Sequence, residues 1–138
     1  MGAKKRLPPD QPARDRLSEE TALKKGARPA FKGYRGYPYS LCTSVNSEVV
    51  HGMPSERELK EGDIISLDFG ILNDGYYGDA AVTVPVGNIT PAAKRLLKVT
   101  EEALFRGIAE VRAGNRIGDI SAAIRPEPRT LSIVVVML

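Results

Sequence analysis

Two aspartates eleven positions apart, Asp68 and Asp79, lie in strand-like runs separated by a short turn sequence, Asn73-Asp74-Gly75. Asn and Gly tolerate the positive φ of a tight turn, so the stretch predicts a β-hairpin with strands over residues 64–72 and 75–84. Facing residues of an antiparallel pair have numbers that add to a constant. A two-residue loop at Asp74-Gly75 sets Asn73 against Tyr76, hence Asp68 against Ala81 and Asp79 against Gly70. The two carboxylates then become diagonal neighbours on one sheet face, about 7–8 Å apart at the backbone. A two-residue slip would set them directly opposite each other. In both registers they share a surface, which Ile64, Leu67, Ile71 and Val82 are expected to flank. Like charges so placed repel each other and resist burial. A divalent cation with hard oxygen ligands removes the conflict, which makes the pair a candidate for part of a metal site. Turn chemistry alone also accounts for Asp-Gly and Gly-Asp pairs, so the surrounding sequence has to decide.

Periodicity and punctuation predict the elements that must position these side chains. A helix is expected over residues 13–25, ended by Gly26 and Pro29. A Gly/Tyr/Pro-rich loop follows, then strands over residues 41–45 and 48–52. Thr90 caps and Pro91 opens the clearest helix, whose apolar face is Leu97, Leu104, Ile108 and Val111. Gly114 ends it, and residues 115–124 begin a further helix. Residues 1–12, with Pro8-Pro9, are expected to be a disordered leader. The ordering is α+β, and no internal repeat is visible.

Composition narrows the possibilities. At 138 residues and 42% hydrophobic, the chain can build one small domain with a modest core. A single cysteine excludes an internal disulfide and suits a reducing cytoplasm. No signal peptide is visible at the N-terminus, because Met1-Gly-Ala-Lys-Lys-Arg6 is followed by prolines. Leu131 to Leu138 is too short to span a membrane, though its β-branched centre is an aggregation hazard. The net charge of +3 is unevenly placed, half of the 20 basic residues falling between Lys4 and Arg35. A solvated helix face with a basic leader explains this, and a patch that favours the ribosome surface is the alternative. No aromatic-interleaved basic motif or zinc knuckle supports specific nucleic-acid recognition.

Several further runs carry a resemblance. They are Gly33-Tyr-Arg-Gly-Tyr-Pro-Tyr-Ser-Leu-Cys-Thr-Ser-Val-Asn46, Glu48-Val-Val-His-Gly-Met-Pro54, Leu59-Lys-Glu-Gly-Asp63 and Pro91-Ala-Ala-Lys-Arg-Leu-Leu97. With the two aspartates, they make residues 16–124 resemble the type I methionine aminopeptidases, which remove the initiator methionine from nascent polypeptides. The resemblance implies a pita-bread fold of two related halves, of which this chain would carry the first only, over residues 13–124. It also implies two divalent metal ions, held by two aspartates from the first half and by a histidine and two glutamates from the second. Asp68 and Asp79 match the two aspartates, Asp79 being the one that bridges the ions. His51 matches the histidine that contacts the scissile amide, and Tyr34, Tyr37 and Cys42 fall where the family builds its methionine pocket. The expected partners are nascent N-termini in the cytoplasm. Prolidase-like and aminopeptidase P-like proteins share the spaced aspartates, but the run from Gly33 favours the methionine-specific branch.

The residue chemistry suits that assignment. Aromatic edges and a thiol make a dry pocket for a polarizable thioether. Oxygen-rich sites accept cobalt, manganese, iron or zinc, with geometry as arbiter. His51 is the only histidine, so it cannot by itself form a His-rich zinc site or a Ser-His-Asp arrangement. Ordinary packing remains open for the same residues: a satisfied histidine at a strand end, a small core cysteine, tyrosines beside a Gly/Pro turn. Residues 125–138 do not resemble the family, and three of its five ligands have no counterpart. The sequence therefore also admits a second class, an inactive pita-bread remnant or non-catalytic binding relative.

Overall fold

The Asn-Asp-Gly turn forms as its chemistry dictates. Asp74 and Gly75 take φ of 49° and 84°, the two left-handed residues of a type I′ hairpin. They join β3 (Ile64–Asn73) to β4 (Tyr76–Pro85), and Asp68 faces Ala81 while Asp79 faces Gly70. The register is the one that the two-residue loop requires. The computed structural model describes residues 10–125, so the leader ahead of Asp10 and the stretch from 126 to 138 lie outside the described residues. Those residues divide between Ile89 and Thr90 into two compact units.

In the first unit, α1 (Gln11–Lys24) precedes β1 (Arg28–Pro29), and a single 3-10 turn (Tyr34–Gly36) leads toward β2 (Cys42–Val45). β4 occupies one whole edge of β3, so β2 and β1 share the other, β2 against Ile65–Asp68 and β1 against Ile71–Leu72. All the pairings are antiparallel. Alternation along the strands sorts the side chains into two faces. Cys42, Ser44, Ser66, Asp68, Gly70, Asp79 and Thr83 share one face. Thr43, Val45, Ile65, Leu67, Phe69, Ile71, Ala80 and Val82 share the other, with Val45 and Ile65 almost fully buried. Of the four apolar residues expected beside the aspartates, only Ile64 has their parity. Leu67, Ile71 and Val82 belong to the opposite face, because side chains one or three positions from an aspartate, or directly paired with such a residue, point away from it.

α1 begins earlier than periodicity suggests. Asp10 caps it, its Oδ1 accepting from the Ala13 amide at 2.6 Å, and Pro12 sits in the first turn. Asp10–Pro12 are therefore part of the helix rather than of a disordered leader. The buried stripe of α1 is largely polar: Gln11, Asp15 and Ala22. Gln11 donates to the Arg57 carbonyl at 3.1 Å and accepts from the Thr43 hydroxyl at 2.7 Å. One oxygen of Asp15 accepts from the Ser40 and Leu41 amides at 2.7 and 2.8 Å. Arg14, Leu17 and Ser18 of α1 line a cavity of about 230 Å³ with Leu41, Leu67, Phe69, Ala80 and Val82. That cavity opens on the face away from the aspartates.

Asp15→Ala should cost about 2–4 kcal/mol, because two amides that Asp15 now satisfies inside the protein would lose their acceptor. Urea unfolding measures this, and Asp15→Asn, which keeps one carbonyl oxygen, should cost less. A loss below about 0.5 kcal/mol for the alanine variant would show that the two amides find other partners.

A strand over residues 48–52 does not form. Asn46 and His51 take φ of 56° and 57°, and two left-handed residues cannot continue an extended run. Val49 and Val50, within the expected strand, are exposed. The segment is instead a loop fastened to its surroundings. The Asn46 side chain accepts from the Ile64 amide at 3.0 Å and donates to Asp63 Oδ1 at 2.7 Å. Those contacts, with the Lys60 amide foremost, hold the Asp63 carboxyl below its ordinary pKa.

In the second unit, Thr90 caps α2 (Pro91–Ala109), accepting from the Ala93 amide at 3.1 Å. The helix stops at Ala109, with Gly114 in the connection to α3 (Ile117–Ile124). Its contact with α3 is not the expected apolar stripe. Leu104, Ile108 and Val111 are exposed, whereas Ala103 and Gly107 are buried and Gly107 lies directly under Ile124. Small residues let the two helices approach more closely than leucines would.

Candidate metal centre

The hairpin register brings the two carboxylates into mutual hydrogen-bonding reach on one face of the sheet. Burial, and then the charge of Asp79 beside it, push the Asp68 carboxyl from 3.8 up to about 6. Sharing a proton is one way for such a pair to lower its repulsion, and sharing a cation is another. The donor set is entirely oxygen, which fits a hard or borderline divalent ion. Among the described residues, no group of three or more histidine, cysteine or acidic side chains is arranged to hold a metal ion.

β2 brings the next residue to this face. Cys42 pairs with Asp68 across the β2–β3 ladder and is buried. Burial raises its thiol pKa, and the Asp68 and Asp79 charges add to the rise, while a hydrogen bond with Tyr37 opposes it. A neutral thiol there behaves as a small apolar wall. Tyr37 is half-buried, and its hydroxyl donates toward the Leu41 and Gly52 carbonyls at 3.1 and 3.2 Å. Desolvation, followed by the neighbouring Cys42, raises its phenol pKa far above the ordinary value, so the group stays protonated. Tyr39 stacks edge-on against it, with ring centroids 6.1 Å apart.

His51 is exposed, and it lies close enough to Asp68 to act electrostatically against the rise there. Tyr37, Cys42, His51, Asp68 and Asp79 thus come together. Tyr34 does not join them. It is 65% exposed, and the Arg35 guanidinium lies over its ring at 5.4 Å from the centroid.

Sequence reasoning missed two contributors. The Phe31 ring fills the slot above Gly70, the residue that faces Asp79, so it lies on the aspartate face. Phe31 had no periodic neighbour to mark it, and only the Gly70 gap in the hairpin could have pointed to a ring seated there. Asp15 is the second. It fixes the backbone of Ser40 and Leu41 immediately before Cys42, and as one of three acids in a polar helix it carried no signal.

Residues 13–131 match the metallopeptidase family M24. Methionine aminopeptidase 1 of Bacillus subtilis is 52% identical over 111 residues, covering 80% of this chain and 45% of that protein. The crystal structure of methionine aminopeptidase from Rickettsia prowazekii superposes with a TM-score of 0.82 at 38% identity, covering 86% of this chain and 48% of that one. The corresponding enzyme from Thermotoga maritima gives 0.80 at 45% identity, over 83% and 46% of the two chains. The chain thus spans about half the length of the relatives that it matches. Its architecture is the α+β pita-bread arrangement of those structures, and the match across most of its length shows that the chain belongs to metallopeptidase family M24.

Proposed function

We propose that this chain contributes one half of a methionine aminopeptidase centre: two metal-ligating carboxylates, a substrate-contacting histidine and part of the methionine pocket. The observation that carries this reading is the meeting of Asp68 and Asp79 on a face that Cys42, Tyr37 and His51 also reach. Asp68 and Asp79 would hold divalent metal ions, which supply Lewis-acid activation of a peptide bond when bound. The family resemblance adds a histidine and two glutamates as the remaining ligands, from the half of the relatives that this chain does not span. His51 would hydrogen-bond the amide next to the N-terminal methionine. The rings of Tyr37 and Phe31 and the neutral Cys42 thiol would exclude water around the thioether. The substrate would be the N-terminus of a nascent polypeptide, and a cytoplasmic setting suits the single free thiol. Among the described residues, no helix is long and apolar enough to cross a membrane.

Free methionine released from a Met-Gly peptide, with manganese or cobalt added, tests the reading. The 138-residue chain alone should turn over very slowly or not at all, since losing even outer partners of a metal site costs about 10–100-fold. Added to a polypeptide carrying the remaining ligands, it should give turnover that Asp79→Ala removes. Robust turnover by the chain alone, abolished by Asp79→Ala, would overturn the half-site reading and imply ligands donated by a second copy. Turnover indifferent to Asp79 would overturn the metal assignment itself.

A further inference from the structure

The Tyr37 hydroxyl sits where two segments of the candidate site meet. It lies 3.1 Å from the Leu41 carbonyl, the residue just before Cys42, and 3.2 Å from the Gly52 carbonyl, the residue just after His51. A phenol has one proton, so the two carbonyls share a single donor. The Gly52 carbonyl also accepts from the Thr43 amide at 2.8 Å, and the Gly52 amide donates to Ser44 Oγ at 3.1 Å. Gly52 is therefore bound from three sides, while its neighbour His51 has a left-handed backbone (φ 57°), uncommon for a residue other than glycine. Val49 and Val50 give the loop no buried apolar anchor ahead of His51. Pro54 is buried beyond Gly52, and polar ties hold the stretch ahead of it.

We propose that Tyr37 is a positioning residue whose hydroxyl, by holding the Leu41 and Gly52 carbonyls together, fixes His51 beside the Asp68–Asp79 pair. This role is additional to that of its ring as a pocket wall. Its purpose rests on the function proposed above, but its geometry does not. Tyr37→Phe separates the two roles, since the ring stays and only the tie is lost.

His51 is the only histidine, so one imidazole signal in the NMR spectrum reports it unambiguously. In the metal-free 138-residue chain, Tyr37→Phe should speed hydrogen exchange of the Thr43 amide about tenfold, the worth of one net hydrogen bond. It should also shift and sharpen the His51 ring signal as the loop gains motion. The Phe69 amide, in the β3–β4 ladder opposite Ala80, should keep its protection. Tyr39→Phe, the same chemical change on the neighbouring ring, should alter none of the three. An unchanged His51 signal with unchanged Thr43 exchange would overturn the proposal. So would equal acceleration at Thr43 and Phe69, which would reduce Tyr37 to a general contributor to stability. No metal or peptide enters the measurement, so its failure is distinct from a failure of the aminopeptidase reading.

Discussion

Asp68→Asn should make the metal-free chain more stable at neutral pH while abolishing its response to manganese. Folding presses two carboxylates together, and the Asp68 carboxyl rises from 3.8 to about 6 as a result. The sign follows from linkage: an acid whose folded pKa is raised favours the folded state only while protonated. That contribution is complete below the ordinary value and is lost as pH climbs through about 6. Above that pH the pair is a net cost. Two pKa units would be worth nearly 3 kcal/mol in a dry interior, but water reaches this face, and screening reduces the figure to about 1–2 kcal/mol. Asparagine keeps the shape and removes the charge. Thermal unfolding between pH 4 and 8 should show wild-type stability falling across this window and the variant's staying flat. Manganese should raise the wild-type midpoint and leave the variant unmoved. A variant as manganese-sensitive as wild type would remove Asp68 from the metal site, and one less stable than wild type at pH 7.5 would mean the pair is not strained.

Gly52→Ala should be the most damaging single methyl addition in the first unit, at about 3 kcal/mol or more. A Cβ there would be driven into the Thr43 carbonyl oxygen and would lie 2.9 Å from Ser44 Cα. Both obstacles are backbone atoms of β2, so no side-chain rotation relieves them, and overpacking against fixed backbone falls at the upper end of such costs. The Thr43-to-Gly52 and Gly52-to-Ser44 hydrogen bonds would be lost with the displaced loop, and His51 would move away from the aspartates. Gly78→Ala is the control. Its Cβ would meet only Ile71 Cγ1 at an ordinary 3.5 Å, and it should cost less than about 0.5 kcal/mol. Urea unfolding of the two variants decides, and comparable losses would mean that the loop relaxes freely around position 52.

The parts of this protein legible from its residues are those that local chemistry governs. Asp74 and Gly75 at a turn imply a hairpin, and both registers open to it set Asp68 and Asp79 on a common face. Thr90-Pro91 starts α2 for equally local reasons, capping and a missing amide. Motif resemblance extended this to His51, Tyr37 and Cys42 without saying how they are held. The errors came where a side chain's partner is distant in the chain. Residues 48–52 read as a strand, yet hydrogen bonds from β2 and Tyr37 bend them into a loop. Leu104, Ile108 and Val111 read as part of the apolar face of α2, yet they are exposed, and closeness to α3 needs Ala103 and Gly107.

Gln11 and Asp15 show the same limit most plainly. A hydrophobicity pattern counts them as surface, but amides, a hydroxyl and a carbonyl 25 to 46 positions away make their burial favourable. Phe31 lies beside Asp79 only because Gly70 leaves its ring a place. Turn and cap preferences are properties of a few consecutive residues and can be read in order along the chain. Whether a polar group is satisfied, or a gap is filled, depends on atoms that only tertiary folding brings within about 3–4 Å.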